Sequence, residues 1–466
     1  MHKHVFKTFI IVSAVCLLGI LGPAWAQDAG GIGPPDAGER LLILAPHPDD
    51  EAIGCAGVIQ QAKKAGAEVR VVYLTNGDNN EFSFIVYEKR LTFKKGEFIH
   101  MGQIRRKEAV CAMKLLGVSE DKLIFLGYPD FGTFSIFRKY WQEKKPFRSM
   151  LTRVSSVPYK NDYSFGAPYT GESILNNLEE IILEYKPSRI FVSHPADMNL
   201  DHRALYLFLQ IALRDLKDKI PPPKVYPYLV HFVNWPKPRH YHPELSLRAP
   251  GDFRNSQIGW LKLDLTPEDL SLKHKAILSY KSQTEVSAFY LLSFARKNEL
   301  FGDYPEIQLA KQVSLKERAP SFFGFSEMFT GFREEKGAFD GDNLSEKHGE
   351  VSYAAVDNCL VIRVAKDKEL SRRFSLVVYI FGFNDKRPFA FMPKIRIKTR
   401  HERFIVFNAE KRINPENIRL SLSREDLVLR VPLEVLGNPD FMLVSVSAYG
   451  GKASLSDTGF RRIVIK

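Results

Sequence analysis

Between Arg40 and Leu213 the chain repeats one pattern: a short apolar run that breaks at a turn residue, then a stretch with helical spacing. Arg40 to Ala45 reads as a strand, and Asp49 to Ala65, with Ile53, Gly57 and Ala62 in register, as the helix after it. Glu68 to Thr75 predicts a second strand, Ile104 to Leu116 a helix closed by Gly117, and Leu123 to Leu126 a third strand. Ile174 to Tyr185 is an amphipathic helix stopped by Pro187, and Arg189 to Ser193 a buried strand. Strands and helices alternating at this length predict an α/β fold. Its mainly parallel, Rossmann-like sheet would carry helices on both faces and place active sites at the carboxyl ends of its strands.

At 466 residues, 45% hydrophobic, the chain exceeds what one core usually organises, so two domains are expected. Residues 39–310 are assigned to the α/β domain, 311–345 to a linker that includes the polar, Gly-rich stretch Glu334 to Asn343, and 346–466 to a second domain. That last segment is written in short β-branched and aromatic runs, Cys359 to Val364, Phe374 to Phe381, Lys394 to Lys398, Phe404 to Phe407 and Leu427 to Val431, which predict a β-sandwich. Two insertions, Asn79 to Met101 and Asp130 to Gly171, are rich in aromatic and basic residues and are read as lids or substrate walls, with about half of their aromatics packing onto the domain.

The first residues, Met1 to Ala26, have basic Lys3 and Lys7, an apolar run from Phe9 to Leu21 and a small-x-small site at Ala24 to Ala26. They read as a signal peptide, placing the protein in the periplasm or outside the cell, with an uncleaved anchor as the alternative. A flexible leader, 27–38, follows. Without the signal three cysteines remain, too few and too scattered for a disulfide framework; Cys55 and Cys111 are expected as small core residues. The net charge of +12 is spread along the chain. An exported protein with that distribution is not expected to bind nucleic acid. An anionic glycan or envelope surface is the partner its charge fits, beside the plainer reading of a solvated basic surface.

The first strand delivers His47-Pro48-Asp49-Asp50-Glu51, one imidazole and three carboxylates in five residues. Charge packed so tightly calls for a cation. A strand-end loop can turn His47 and Asp50 to one point while Asp49 faces the open side of the metal. Catalytic zinc sites take three N or O ligands and leave a position for water. The third ligand is best supplied by the second cluster, His194 to His202, which follows another strand and ends in Asp201-His202 at the start of a helix.

Here the sequence closely resembles the family of zinc-dependent sugar N-deacetylases that includes the glycosylphosphatidylinositol-precursor de-N-acetylases and the mycothiol and bacillithiol pathway deacetylases. The resemblance covers about Arg40 to Tyr304 and rests on the 47–51 motif, Arg105 and Glu108 ahead of Leu116-Gly117, Gly127 to Asp130 after the third strand, Asp201-His202, and the late segment Lys275 to Gln283. It implies that His47, Asp50 and His202 bind zinc, that Asp49 is the general base, and that Arg105 and Asp130 hold sugar hydroxyls of an N-acetylated sugar. Glu51 would lie behind the ligands or serve the helix start.

One position departs from the family, which often has a histidine three residues before the metal histidine; here it is Asn199. Asn199 can donate to an oxyanion but cannot supply a proton at neutral pH. Asp49 could return the proton it removes, or His194 or His231 could serve, though both are read first as structural. Two other readings stay open: a glycan-binding protein on an inactive scaffold, and a zinc hydrolase of another amide or ester.

Overall fold

The computed structural model describes residues 30–79, 94–142, 144–253, 258–312, 351–365, 374–400, 403–414, 416–423, 426–450 and 453–466. The expected signal segment and the Glu334 to Asn343 linker lie outside the described residues. Among the described residues no helix is long and apolar enough to cross a membrane.

The first part of the chain runs β1 (Gly30–Gly31), β2 (Arg40–Ala45), α1 (Asp50–Ala65), β3 (Glu68–Thr75), α2 (Lys95–Leu115), β4 (Leu123–Tyr128), α3 (Thr133–Lys139), α4 (Gly171–Tyr185), β5 (Arg189–Ser193), α5 (Leu200–Asp215), β6 (Lys224–Tyr228), β7 (Leu261–Asp264), α6 (Pro267–Leu278), α7 (Lys281–Leu291) and β8 (Asn298–Phe301). The eight strands form one sheet in the order β1-β7-β8-β6-β5-β2-β3-β4. From β6 to β4 all neighbours are parallel, while β8 is antiparallel to β6 and β7. The chain moves outward from β2 to β3 and β4, then returns to β5 on the other side of β2, so the switch point lies between β2 and β5. A crevice opens there at the carboxyl ends, because the loops leave toward opposite faces.

The strand sequences explain why both faces are covered. In β2, Leu41, Ile43 and Ala45 pack with α1, the end of α2 and α6, whereas Leu42 and Leu44 pack with α4 and α5 on the other face. Each fully buried leucine or isoleucine there contributes about 1.5–3 kcal/mol relative to exposure.

Three expectations differ from the structure. The leader is held and not free over 30–33: Gly30 and Gly31 pair with Leu261 and Lys262, Ile32 is buried, and Arg189 Nη1 donates to Gly33 O at 2.7 Å. Helix α2 starts nine residues earlier than its apolar periodicity indicates, since Phe98 and Met101, three apart, continue its inward face. Cys55 is buried, but Cys111 is exposed on the outer side of α2.

The rest of the chain is β-rich. It contains β9 (Ile307–Leu309), β10 (Lys311–Gln312), β11 (Val351–Val356), β12 (Cys359–Ala365), β13 (Phe374–Phe383), β14 (Lys394–Arg400), β15 (Arg403–Asn408), β16 (Lys411–Ile413), β17 (Arg419–Leu422), β18 (Asp426–Pro432), β19 (Phe441–Gly450), β20 (Ala453–Asp457) and β21 (Arg461–Ile465). One sheet runs β10-β11-β12-β18-β17; the other runs β16-β15-β14-β13-β19-β21-β9 with β20 beside β19, and residues of both share one core. This region is not separate from the α/β part. Phe381, Phe383, Phe389, Phe441 and Phe460 belong to the same apolar cluster as Phe134, Phe137, Trp141 and Phe208. Lys394 Nζ sits 4.0 Å from the Phe389 ring and 4.8 Å from that of Trp141, donating to the Met392 carbonyl at 2.8 Å and to that of Phe389.

Candidate metal centre

His47, Asp50 and His202 come together at the switch point, each buried, with one donor atom apiece within 4.8 Å of the others. Asp50 Oδ2 lies 3.2 Å from His47 Nδ1 and 3.1 Å from His202 Nε2. The opposite nitrogen of each ring also meets a carboxylate. His47 Nε2 is 3.1 Å from Asp130 Oδ1 and 3.4 Å from Asp201 Oδ2, and His202 Nδ1 is 3.2 Å from Asp197 Oδ2. A carboxylate behind each imidazole fixes its tautomer and raises its basicity, the usual support of a metal-ligating histidine. Neither buried nitrogen of His202 has a well-directed hydrogen bond, which suits a ring whose Nε2 lone pair is meant for an ion. The donor set of two nitrogens and a carboxylate therefore fits a divalent metal.

The supporting carboxylates are themselves held by backbone. Asp197 accepts from the amides of Asn199, Val230 and His231 at 2.9–3.0 Å, and Asp201 accepts from Phe131 and Thr133 at the start of α3. Burial raises the Asp50 carboxyl, but His202 and His47 together hold it well below its usual range. Burial likewise lowers His202, yet Asp197 and Asp50 outweigh it and push the ring up to about 9. Asp130 is raised by burial and lowered more strongly by His47 and Arg105.

Asp49 has a left-handed backbone, φ 118°, uncommon for a residue with a β-carbon. It opens α1, but its carboxylate does not cap the helix as an aspartate there ordinarily does. The conformation is held from both sides. Its amide donates to Glu51 Oε2 at 3.1 Å, and Arg105 Nη2 reaches Asp49 Oδ2 at 3.3 Å and Pro48 O at 2.7 Å. Arg105 Nη1 donates to Gly77 O, and Gly77, φ 67°, is required there because a β-carbon would overlap the guanidinium. Burial, opposed chiefly by Arg105, pushes the Asp49 carboxyl up. Glu51 lies behind the loop, accepts from Tyr280 Oη and is pushed by burial up to about 8.

The other expected site residues divide. Asn199 caps α5, its side-chain oxygen accepting from Asp201 N at 2.9 Å. His194 turns away from the cluster, stacks on Trp260 at 5.6 Å and is kept neutral by burial, at about 3. His231, half-buried, stands at the site: its ring is 4.7 Å from that of His202, it belongs to a second group with Asp197 and His202, and burial keeps it neutral, at about 4. Of the insertion aromatics, Phe134, Phe137, Trp141, Tyr159 and Tyr169 are buried, while Phe131, next to Asp130, is 61% exposed with φ 55°. Asp197 and Thr133 are partners that the sequence reading did not single out; the His-x-x-Asp spacing at 194–197 was the one available sign of the former.

Residues 42–213 match the family model for GlcNAc-PI de-N-acetylase, PIG-L. Over 81 residues the chain is 36% identical to a 1D-myo-inositol 2-acetamido-2-deoxy-alpha-D-glucopyranoside deacetylase of Mycobacterium avium (strain 104), covering 17% of this chain and 26% of that protein. Over 119 residues it is 35% identical to the protein of that name from Mycobacterium sp. (strain KMS), covering 26% and 34%. The chain thus spans about a quarter to a third of the length of these curated relatives. Among solved structures, an N,N'-diacetylchitobiose deacetylase from Pyrococcus horikoshii is similar at 21% identity and a TM-score of 0.35, over 56% of this chain and 82% of that one. The similarity to the PIG-L family is thus carried by residues 42–213, the stretch that holds His47, Asp50 and His202.

Proposed function

We propose that the protein is a zinc-dependent hydrolase that removes the acetyl group from an N-acetylated sugar, with a GlcNAc-type glycan or glycoconjugate as substrate, acting outside the cytoplasm. The carrying observation is the pair of carboxylate-backed histidines converging on Asp50, with a second aspartate, Asp49, beside it in the chain, its carboxylate facing Arg105 and not capping the helix. The matched family model and the named activities of the relatives support the same reading.

His47, Asp50 and His202 would hold the ion, which when bound supplies Lewis acidity to the amide carbonyl and lowers the pKa of water. Asp49 takes a proton from the attacking water as its oxygen bonds to the carbonyl carbon, and returns that proton to the nitrogen when the C–N bond breaks, releasing acetate and an amine. Arg105 keeps the Asp49 loop in its strained conformation, and this positioning is the part we assign to it. His231, whose ring stands 4.7 Å from that of His202, provides a hydrogen bond to the carbonyl oxygen. Asp130, anchored to His47, and the exposed Phe131 ring form the sugar wall. The two C-terminal sheets, which share one core, are read as a β-sandwich.

The test is acetate release from a panel of N-acetylated sugars with and without a chelator. Release that stops with the chelator and returns with zinc is expected. Release unaffected by metal removal, or none from any N-acetylated sugar by zinc-loaded protein, contradicts the proposal.

A further inference from the structure

We infer that the C-terminal β-rich region positions the metal loop, acting through the Gly459-Phe460 turn; the inference rests on the metal reading above. This turn leads into β21 and lies directly on the loop after β5. Phe460 N donates to Pro195 O at 3.2 Å. A β-carbon at Gly459 would sit 2.7 Å from Ala196 Cβ and 2.9 Å from its Cα, and Gly459 has φ 65°, so only glycine fits without pushing Ala196 away. The next residue is Asp197, the carboxylate behind His202. Ala196 N is fixed in turn by His194 Nδ1 at 3.1 Å.

The turn is anchored on both sides. The Phe460 ring stacks on Phe381 at 5.7 Å and lies 6.2 Å from Phe134 on α3. Two residues later, Arg462 Nη1 donates to Tyr206 Oη at 2.9 Å and to Asp303 Oδ2 at 2.6 Å, and its Nη2 donates to Tyr304 O at 2.9 Å. Tyr206 is four residues after His202 on α5, on the same side of the helix. One short segment of the C-terminal region thus holds the loop that carries Asp197 and the helix that carries His202. Gly459 and Arg462 are positioning residues: neither touches the ion, and both act through Asp197 and His202.

The test uses the full-length protein, metal-free, titrated with Co2+ and followed by visible absorbance, with Zn2+ competition. Gly459→Ala should weaken Co2+ binding by roughly ten-fold, the scale seen when a partner behind a metal ligand is disturbed, and alter the Co2+ spectrum. On substrate it should lower kcat more than it raises KM. Val378→Ala, a cavity in the C-terminal region's own core, should lower Tm yet leave Co2+ affinity unchanged. Should Gly459→Ala not fold, Arg462→Lys, which keeps the charge but loses the fork, carries the test with the same expected direction. Wild-type Co2+ affinity in a folded Gly459→Ala protein overturns the inference, as does equal weakening in Val378→Ala. Wild-type protein that binds no Co2+ refutes the metal reading itself, and this inference with it.

Discussion

Asp197 shows how a residue acquires its role from chain that is distant in sequence. Its Oδ2 accepts from the amides of Val230 and His231, beyond the end of β6, and only that arrangement aims it at His202 Nδ1. The 47–51 motif and Asp201-His202 were legible because each supplies several donors within a few residues. Asp197, Tyr280 and Gly459 were not, because the partners that place them lie 33, 229 and 263 residues away. His194, read first as structural, is so placed: Trp260 and Tyr304 flank its ring. Asp197→Asn keeps the shape and one acceptor oxygen but removes the charge behind His202. Zinc affinity, measured by equilibrium dialysis, should fall roughly 10–100-fold with the fold retained. Unchanged affinity would mean that His202 needs no carboxylate behind it.

At the level of elements, the parallel strands were the most readable part of the chain, since β3 and β5 are buried apolar runs bounded by clear breaks. Helix pairing was less so, and it brings together two like charges. Glu179 on α4 faces Asp215 on α5; burial and Asp215 push the Glu179 carboxyl up to about 7. Because its folded pKa lies above its unfolded value, the folded state binds the extra proton, and stability falls as pH rises from about 4.5 to about 7. Glu179→Gln removes that loss. It should raise stability at pH 8 by about 1 kcal/mol, a figure reduced for solvent screening of a half-exposed pair, and by much less at pH 5. Thermal melts at the two pH values test it, and an equal gain at both would refute the assignment.

For the whole molecule, the α/β part and the β-rich part meet in one apolar cluster running from Phe134 and Phe208 to Phe381 and Phe460. Composition marked the change from α/β to β-rich correctly, but it carries no sign of which faces meet. Cutting the chain between residues 313 and 350 would expose that cluster and remove Arg462 from Asp303 and Tyr206. The N-terminal fragment alone should aggregate or lose its metal affinity. A soluble fragment with wild-type zinc affinity and turnover would show that the shared cluster is dispensable.

The proposed function gives two neighbouring aspartates different tasks, Asp50 to hold the metal and Asp49 to move the proton. The most direct measurement is zinc content and deacetylation rate of Asp49→Asn beside wild type, both full-length. Zinc should stay near one per chain while turnover falls by roughly 10²–10⁴-fold, the contribution typical of a positioned base. Loss of zinc from Asp49→Asn, or turnover at the wild-type rate, would contradict it.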